Sequence, residues 1–302
     1  MTDIDLTPYA GEPMINGVPL QATDLPLSQA VLDIIADDGA DQDTARRHVE
    51  HGEYDTTSLK PETYKYAVHR DWIGHWTRWA WAGRYIKNGL RVLEPGCGRE
   101  SMLFHHLHTN SNLVPELYLG VDLDKIKYEQ VRIDKNKSTY KWAEFKQEFN
   151  FVTRVDELVD EYGANSFDRV VSFEVYEHIT PSIGVQYLDA CRKMLKPDGL
   201  LLLSTPVFNG KKAANHIREY TVDELRTILE DRGFTILDRF GTFASYHDIK
   251  RGIQDQYPDE AETILKVYER CREFLSDDLL AGMLSPLAPD YSRNNTWLCK
   301  PS

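Results

Sequence analysis

Cysteine is scarce in this chain. Four thiols in 302 residues, Cys97, Cys191, Cys271 and Cys299, are scattered and form no Cys-x-x-Cys pair. Neither a disulfide framework nor a cysteine zinc site is therefore expected. Long apolar runs are missing as well: no segment approaches the roughly 20 residues that cross a bilayer. The opening Met-Thr-Asp-Ile-Asp carries no basic stretch followed by an apolar one, so the expectation is a cytoplasmic protein with no membrane partner. Basic residues are outnumbered, 35 Lys and Arg against 48 Asp and Glu, for a net charge of −13. A dedicated nucleic-acid binder displays a net basic surface. Nucleic acid is thus the less favoured partner, although a local basic groove stays open.

What is present is the composition of a globular protein, 41% hydrophobic and 27% charged. Residues 1–60 read as an acidic N-terminal extension rich in turn-formers, with one short amphipathic helix from Leu27 to Ile35. Residues 61–89 change character: Trp72, Trp76, Trp79 and Trp81 are four of the six tryptophans, joined by Tyr64, Tyr66 and Tyr85. The Trp72/Trp76/Trp79 spacing sets three rings along one helical face. This aromatic helical cap either packs on the next domain or roofs a ligand pocket.

From Leu90 strands and helices alternate. Apolar strands are expected at Arg91–Glu94, Leu117–Val121, Glu144–Val152, Phe167–Phe173, Leu200–Leu203, Phe234–Phe243 and Asn295–Lys300. Helices are expected at Ser101–Leu107, at Val185–Leu195 after Thr180-Pro181, and at Thr221–Arg232 with a Thr221/Glu224 capping box and Gly233 as its stop. A turn at Pro197-Asp198-Gly199 precedes the fifth strand. This rhythm specifies a mainly parallel sheet covered on both faces. Residues 90–302 form that domain, with a helical insertion at about 248–290 that includes a helix from Ala261 to Leu275. So long a connection suits a lid or a dimer contact, and a homodimer stays open.

The first strand closes on Glu94-Pro95-Gly96-Cys97-Gly98. Small residues there let the backbone approach a ligand, and the following helix offers unpaired N–H groups to an anionic part of it. A dinucleotide fingerprint asks for glycine at position 101, which is Ser101. Instead one acid, Glu94, precedes the glycines and another, Asp122, ends the second strand, where a carboxylate can accept from both hydroxyls of a ribose.

Glu-Pro-Gly-Cys-Gly, then Gly-Val-Asp-Leu, then Phe-Asp-Arg-Val-Val-Ser-Phe-Glu-Val-Tyr-Glu-His-Ile, then Leu-Lys-Pro-Asp-Gly-Leu-Leu-Leu-Leu-Ser-Thr-Pro follow in order. Together they resemble the successive motifs of class I S-adenosylmethionine-dependent methyltransferases of the small-molecule, ubiquinone-biosynthesis-like type. The resemblance runs from about Leu90 to Lys300. It implies an α/β fold: a Rossmann-like, mostly parallel seven-stranded sheet with helices on both faces and an antiparallel last strand, to which the aromatic segment adds a helical N-terminal cap. It also implies S-adenosylmethionine as cofactor and a small or medium organic acceptor, methylated on oxygen or nitrogen. Gly96, Cys97 and Gly98 would lie against the methionine part, with Glu94 near its amino group. Asp122 would hold the ribose, Leu123 pack on the adenine, and Glu148 with Phe149 read it, with Asn150 as a rival. Phe173 and Glu174 would lie beside the methyl group. Many relatives carry a third glycine where this chain has Glu100.

Methyl transfer needs in-line approach of a nucleophile, exclusion of water and sometimes a base. His178 is the first candidate base, followed by Glu177, with His216 as a further catalytic candidate. Glu174-x-x-Glu177-His178 also has a metal-like spacing to which His216 could add a ligand. A divalent metal is not favoured, and no metal residue is assigned. His105-His106-x-His108 diverges around its helix and is read as ordinary helix histidines. A nucleic-acid-modifying methyltransferase would need a basic groove near Lys211, Lys212, Arg218, Lys250 and Arg251. A non-catalytic cofactor-binding scaffold is the other alternative.

Overall fold

Alternation of apolar residues along each strand builds two cores, one on either face of a single sheet. The computed structural model describes residues 25–36, 70–99, 101–109, 113–124, 141–210 and 212–302. Most of the acidic extension, Tyr64, Tyr66, Glu100, Lys211 and the side chains of Trp72 and His108 lie outside the described residues.

The chain forms α1 (Gln29–Ala36), α2 (Arg70–Gly83), β1 (Arg91–Pro95), α3 (Met102–Thr109), β2 (Leu117–Val121), β3 (Ala143–Lys146), α4 (Val155–Tyr162), β4 (Phe167–Phe173), α5 (Pro181–Met194), β5 (Leu195–Pro206), α6 (Val222–Asp231), β6 (Phe234–Phe243), α7 (Tyr246–Gln256), α8 (Ala261–Cys271), α9 (Asp277–Leu284) and β7 (Asn294–Pro301). The seven strands lie in the order β3-β2-β1-β4-β5-β7-β6. Pairing is parallel from β3 through β5, and β7 runs antiparallel to both β5 and β6. This is the mostly parallel, doubly covered α/β sheet that the strand–helix rhythm predicts.

On one face Leu93, Leu119, Val121, Val170, Leu201 and Leu203 meet α1, α4, α5 and α6. On the other, their neighbours Val92, Tyr118, Val171 and Leu202 meet Trp79 and Trp81 of α2 and Leu103, Phe104 and Leu107 of α3. Each such buried aliphatic side chain stabilises the fold by about 1.5–3 kcal/mol relative to exposure. A third, smaller core holds Ile249, Ile253, Tyr268, Leu280 and Ala281 of α7, α8 and α9. It joins the rest through α9, whose Gly282 lies so close to α2 that an added Cβ would stand 2.4 Å from Ile73.

Three boundaries differ from the sequence pattern. The third strand stops at Lys146 rather than Val152, because Glu148 takes a left-handed φ of 51°. The chain then turns: Asn150 Oδ1 accepts from Val152 and Thr153 N–H at 3.1 Å each. Pro197-Asp198-Gly199 does not precede β5 but interrupts its pairing with β4, between Phe167↔Leu195 and Arg169↔Leu200. The helix expected to reach Leu275 ends at Cys271. α6, in contrast, starts on the Thr221/Glu224 capping box, and Gly233 follows it at φ 72°.

Candidate functional site

Parallel strands end on one side of the sheet, and the ends of β1, β2 and β4 open there into a cavity of about 770 Å³, as open α/β sheets place their ligands. Its floor is the turn Gly96–Arg99. Gly96 has φ 76° and is overlain by Val175, whose Cγ2 would lie 2.4 Å from an added Cβ; Gly98 has φ 68° and open space above it. Only glycine meets both demands at position 96.

Asp122 follows β2 and is fixed by the turn itself. Its Oδ2 accepts from Gly98 N–H at 2.7 Å and its Oδ1 from Asp124 N–H at 2.8 Å. Glu94, in β1, is buried beside it and accepts from the Tyr118 hydroxyl. Burial outweighs that hydrogen bond and pushes the Glu94 carboxyl up to about 8, with the Asp122 charge adding to the rise. Leu123 and Phe149 complete this part of the wall. Glu148 is exposed and outside it, while Asn150 lies in it, because the left-handed Glu148 turns the next residues inward.

Glu174 and Phe173 close the far side at the end of β4. Glu174 is gripped by three elements: Arg78 Nη1 of α2 lies 3.5 Å from Oε1, Ser204 of β5 donates at 2.8 Å, and Asn294 of β7 donates at 2.9 Å. Burial raises its carboxyl, but Arg78 and His75 more than offset this and hold it below the usual range. His75 and Trp79 bring α2 over the cavity, their rings stacked at 5.4 Å. Burial and the neighbouring Arg78 charge push His75 down to about 4. Trp81 instead stacks on Phe240 at 4.7 Å. Trp81 thus packs on the domain, while Trp79 both joins that core and lines the cavity.

His178 also lines the cavity, at the end of a single 3-10 turn after β4. Its Nδ1 lies 3.1 Å from the Asn215 carbonyl and so carries the hydrogen it donates there, leaving Nε2 as the basic nitrogen. Glu177 is buried and faces that nitrogen, with Oε1 3.9 Å from His178 Nε2 and Oε2 accepting from Thr205 Oγ1 at 3.2 Å. Burial first, and the Glu174 charge second, push the Glu177 carboxyl well up. His216 is not in the wall; its Nδ1 donates to Glu219 Oε1 at 2.6 Å, and its ring meets that of His178 edge-on at 5.0 Å. Donor atoms of Glu177, His178 and His216 lie within 4.8 Å of one another. Two histidines oriented through Nδ1 and one carboxyl make a set that can hold a divalent cation. Glu174 stands apart from it, already taken up by Arg78, Ser204 and Asn294.

Sequence reasoning missed Arg78, Ser204, Asn294, Tyr118 and the cavity-lining Val175 and Tyr187. Arg218, named above for a basic groove, pairs with Glu224 at 2.8 Å and lies over the Tyr220 ring.

Residues 64–239 match a protein family described as "Methyltransferase domain". The chain is 29% identical over 182 residues to a ubiquinone biosynthesis O-methyltransferase of Dinoroseobacter shibae, covering 53% of this chain and 67% of that protein. It is 35% identical over 85 residues to a probable S-adenosylmethionine-dependent methyltransferase of Mycolicibacterium smegmatis, covering 26% of this chain and 32% of that protein. A solved SAM-dependent methyltransferase from Archaeoglobus fulgidus aligns at 18% identity and a TM-score of 0.47, over 82% of this chain and all of that one. The alignments span between about a third and two thirds of the length of these curated relatives.

Proposed function

Because the chain belongs to the class I S-adenosylmethionine-dependent methyltransferases, we propose that it transfers a methyl group to an oxygen or nitrogen of a small or medium organic acceptor. The cofactor supplies a sulfonium methyl already activated for attack. The residues present fit it. The Gly96 turn admits backbone contact that a Cβ would block, two acids border that turn, and Leu123 and Phe149 offer an apolar wall. In this reading Gly96, Cys97 and Gly98 cradle the methionine part, Glu94 receives its amino group and Asp122 the ribose hydroxyls. Leu123, Phe149 and Asn150 face the adenine. Phe173 and Glu174 flank the methyl group, and the acceptor occupies the remaining space under His75 and Trp79.

The observation that carries the reading is the meeting of His178 with this cavity. With Nδ1 donating to the Asn215 carbonyl at 3.1 Å, Nε2 is the ring nitrogen that would take the proton an oxygen or nitrogen acceptor loses. Glu177 and His216 back this residue rather than touching the acceptor. A discrete molecule is favoured over a polyanion by the wall, which contains Glu94, Asp122, Asp124 and Glu174 against Arg99. Among the described residues of the groove that nucleic acid would need, Lys212 donates to the Ile217 carbonyl, Arg218 is neutralised by Glu224, and Arg251 lies over Tyr291.

A second reading is favoured by the convergence of Glu177, His178 and His216. These side chains would hold a divalent cation, which supplies polarisation of an acceptor oxygen in place of a histidine base. One experiment addresses both. Cell extract is incubated with the protein and a labelled methyl donor, then separated by size before and after nuclease treatment. Label in the small-molecule fraction supports the proposal, and label in nucleic acid sinks it. Repeating the reaction after chelation decides the second point. Unchanged turnover leaves His178 as the base; a loss reversed by added Mg²⁺, Mn²⁺ or Zn²⁺ assigns the cluster to a cation.

A further inference from the structure

Beneath the glycine turn lies a second layer of polar side chains that the chemistry above does not use. Tyr118 of β2 is fully buried, packed between Phe104 and Phe145 with ring centroids 5.7 Å away in each case. Its hydroxyl donates to Glu94 Oε2. The Ser101 hydroxyl lies 2.8 Å from the same phenol oxygen. With the phenol hydrogen committed to Glu94, Ser101 is the donor there. Ser101 is itself fully buried and left-handed, at φ 41°, a conformation that costs a non-glycine residue energy unless its surroundings hold it. A chain of hydroxyls thus runs from the start of α3 to a carboxyl in the cavity wall.

Among the described residues, the titratable groups facing Glu94 are Tyr118 from β2, Asp122 from the end of β2, Tyr187 from α5, and the Cys97 thiol from the turn, whose own ionisation is suppressed by burial and by Glu94. No basic side chain among the described residues pairs with Glu94. The carboxyl is buried, hydrogen-bonded to Tyr118, and open to a cation from the cavity.

We propose that Tyr118 and Ser101 are positioning residues for the cofactor, and that seating its positively charged amino group at Glu94 expels one proton from this buried chain. The inference rests on reading the cavity as the S-adenosylmethionine site, and it adds a linkage between cofactor affinity and pH. The sign follows from the free protein, where burial holds Glu94 up at about 8. Below that pH the carboxyl is neutral; an ammonium group at contact distance favours the anion, so binding releases a proton to solvent. Affinity therefore rises with pH up to about 8. Above it the cofactor's own amine, ordinarily titrating at about 7.7–8.0, begins to lose its charge.

The test uses the demethylated product, S-adenosylhomocysteine, which keeps the amino group and lacks the sulfonium. Calorimetric titrations between pH 6 and 8, in buffers of different ionisation enthalpy, give the affinity and the number of protons released. About one proton per ligand is expected at the acid end, with Kd improving up to tenfold per pH unit, the limit for one linked proton. Glu94→Gln removes the release. Tyr118→Phe, which loses a hydrogen bond that lowers the Glu94 carboxyl, moves the pH window upward. Ser101→Ala, the milder change, moves it in the same direction, and thermal unfolding checks each fold. Equal proton release in wild type and Glu94→Gln overturns the inference. So does a Tyr118→Phe variant weakened by one factor at every pH, which would make the tyrosine mere packing. A folded wild type that binds neither product nor S-adenosylmethionine at any pH overturns the cofactor reading itself.

Discussion

At the scale of single residues, two glycines of one turn separate conformational from steric demand. Gly96 and Gly98 share a left-handed φ, but only Gly96 has a neighbour, Val175, 2.4 Å from where a Cβ would stand. Gly98→Ala is expected to cost about 1 kcal/mol of stability, the backbone contribution alone. Gly96→Ala adds a displaced Val175, for about 2–4 kcal/mol together, and loses cofactor affinity at least tenfold. Thermal unfolding and calorimetry on the two variants check this; equal effects would refute it. That Gly96, Asp122 and His178 would meet at one cavity was legible because their types and spacing are local. Arg78 and Asn294 were not: both grip Glu174, and Asn294 does so across 120 positions of sequence. No local pattern encodes such a contact. Asn150 displaced Glu148 in the wall because a single left-handed φ at Glu148 was invisible to alternation.

Elements were legible wherever their ends carried a chemical signal. The capping box of α6 and the left-handed Gly233 behind it fixed that helix to within a residue. α4 went unseen for the converse reason. It begins at Arg154 with no side-chain cap and buries only Val155 and Leu158. The short helix α1 was read correctly as amphipathic, yet its docking depends on a residue two hundred positions away. Arg232, fully buried, donates from Nη1 to the Leu25 carbonyl at 2.9 Å and from Nη2 to the Pro26 carbonyl at 2.6 Å, and pairs with Asp231. Breaking a buried pair of this kind costs about 3–5 kcal/mol. Arg232→Ala is therefore expected to lower the unfolding midpoint and to speed hydrogen exchange over residues 29–36, while exchange in β1 and β4 keeps its wild-type rank. Unchanged exchange in α1 would count against the clamp.

For the whole molecule, strand order follows from the βαβ rhythm, but the cavity depends on where β7 inserts. That strand is the only reversed one among the described residues, and it enters between β5 and β6 rather than at an edge. It carries Asn294 to Glu174, Trp297 and Cys299 to one core, and Leu298 to the other. A chain terminated at Ser292 is accordingly expected to lose cooperative unfolding altogether, read by calorimetry, rather than to lose cofactor affinity alone. A sharp transition in that truncated protein would show β7 to be dispensable. The same placement sets a timetable for synthesis. β5 is complete at Pro206 and its partner only at Pro301, an interval of roughly 5–20 seconds at ordinary rates of translation. Throughout it the nascent protein presents the backbone edge of an apolar strand, Leu200 to Leu203, to any other chain nearby. Newly made protein should thus be a chaperone client until its last strand closes the gap.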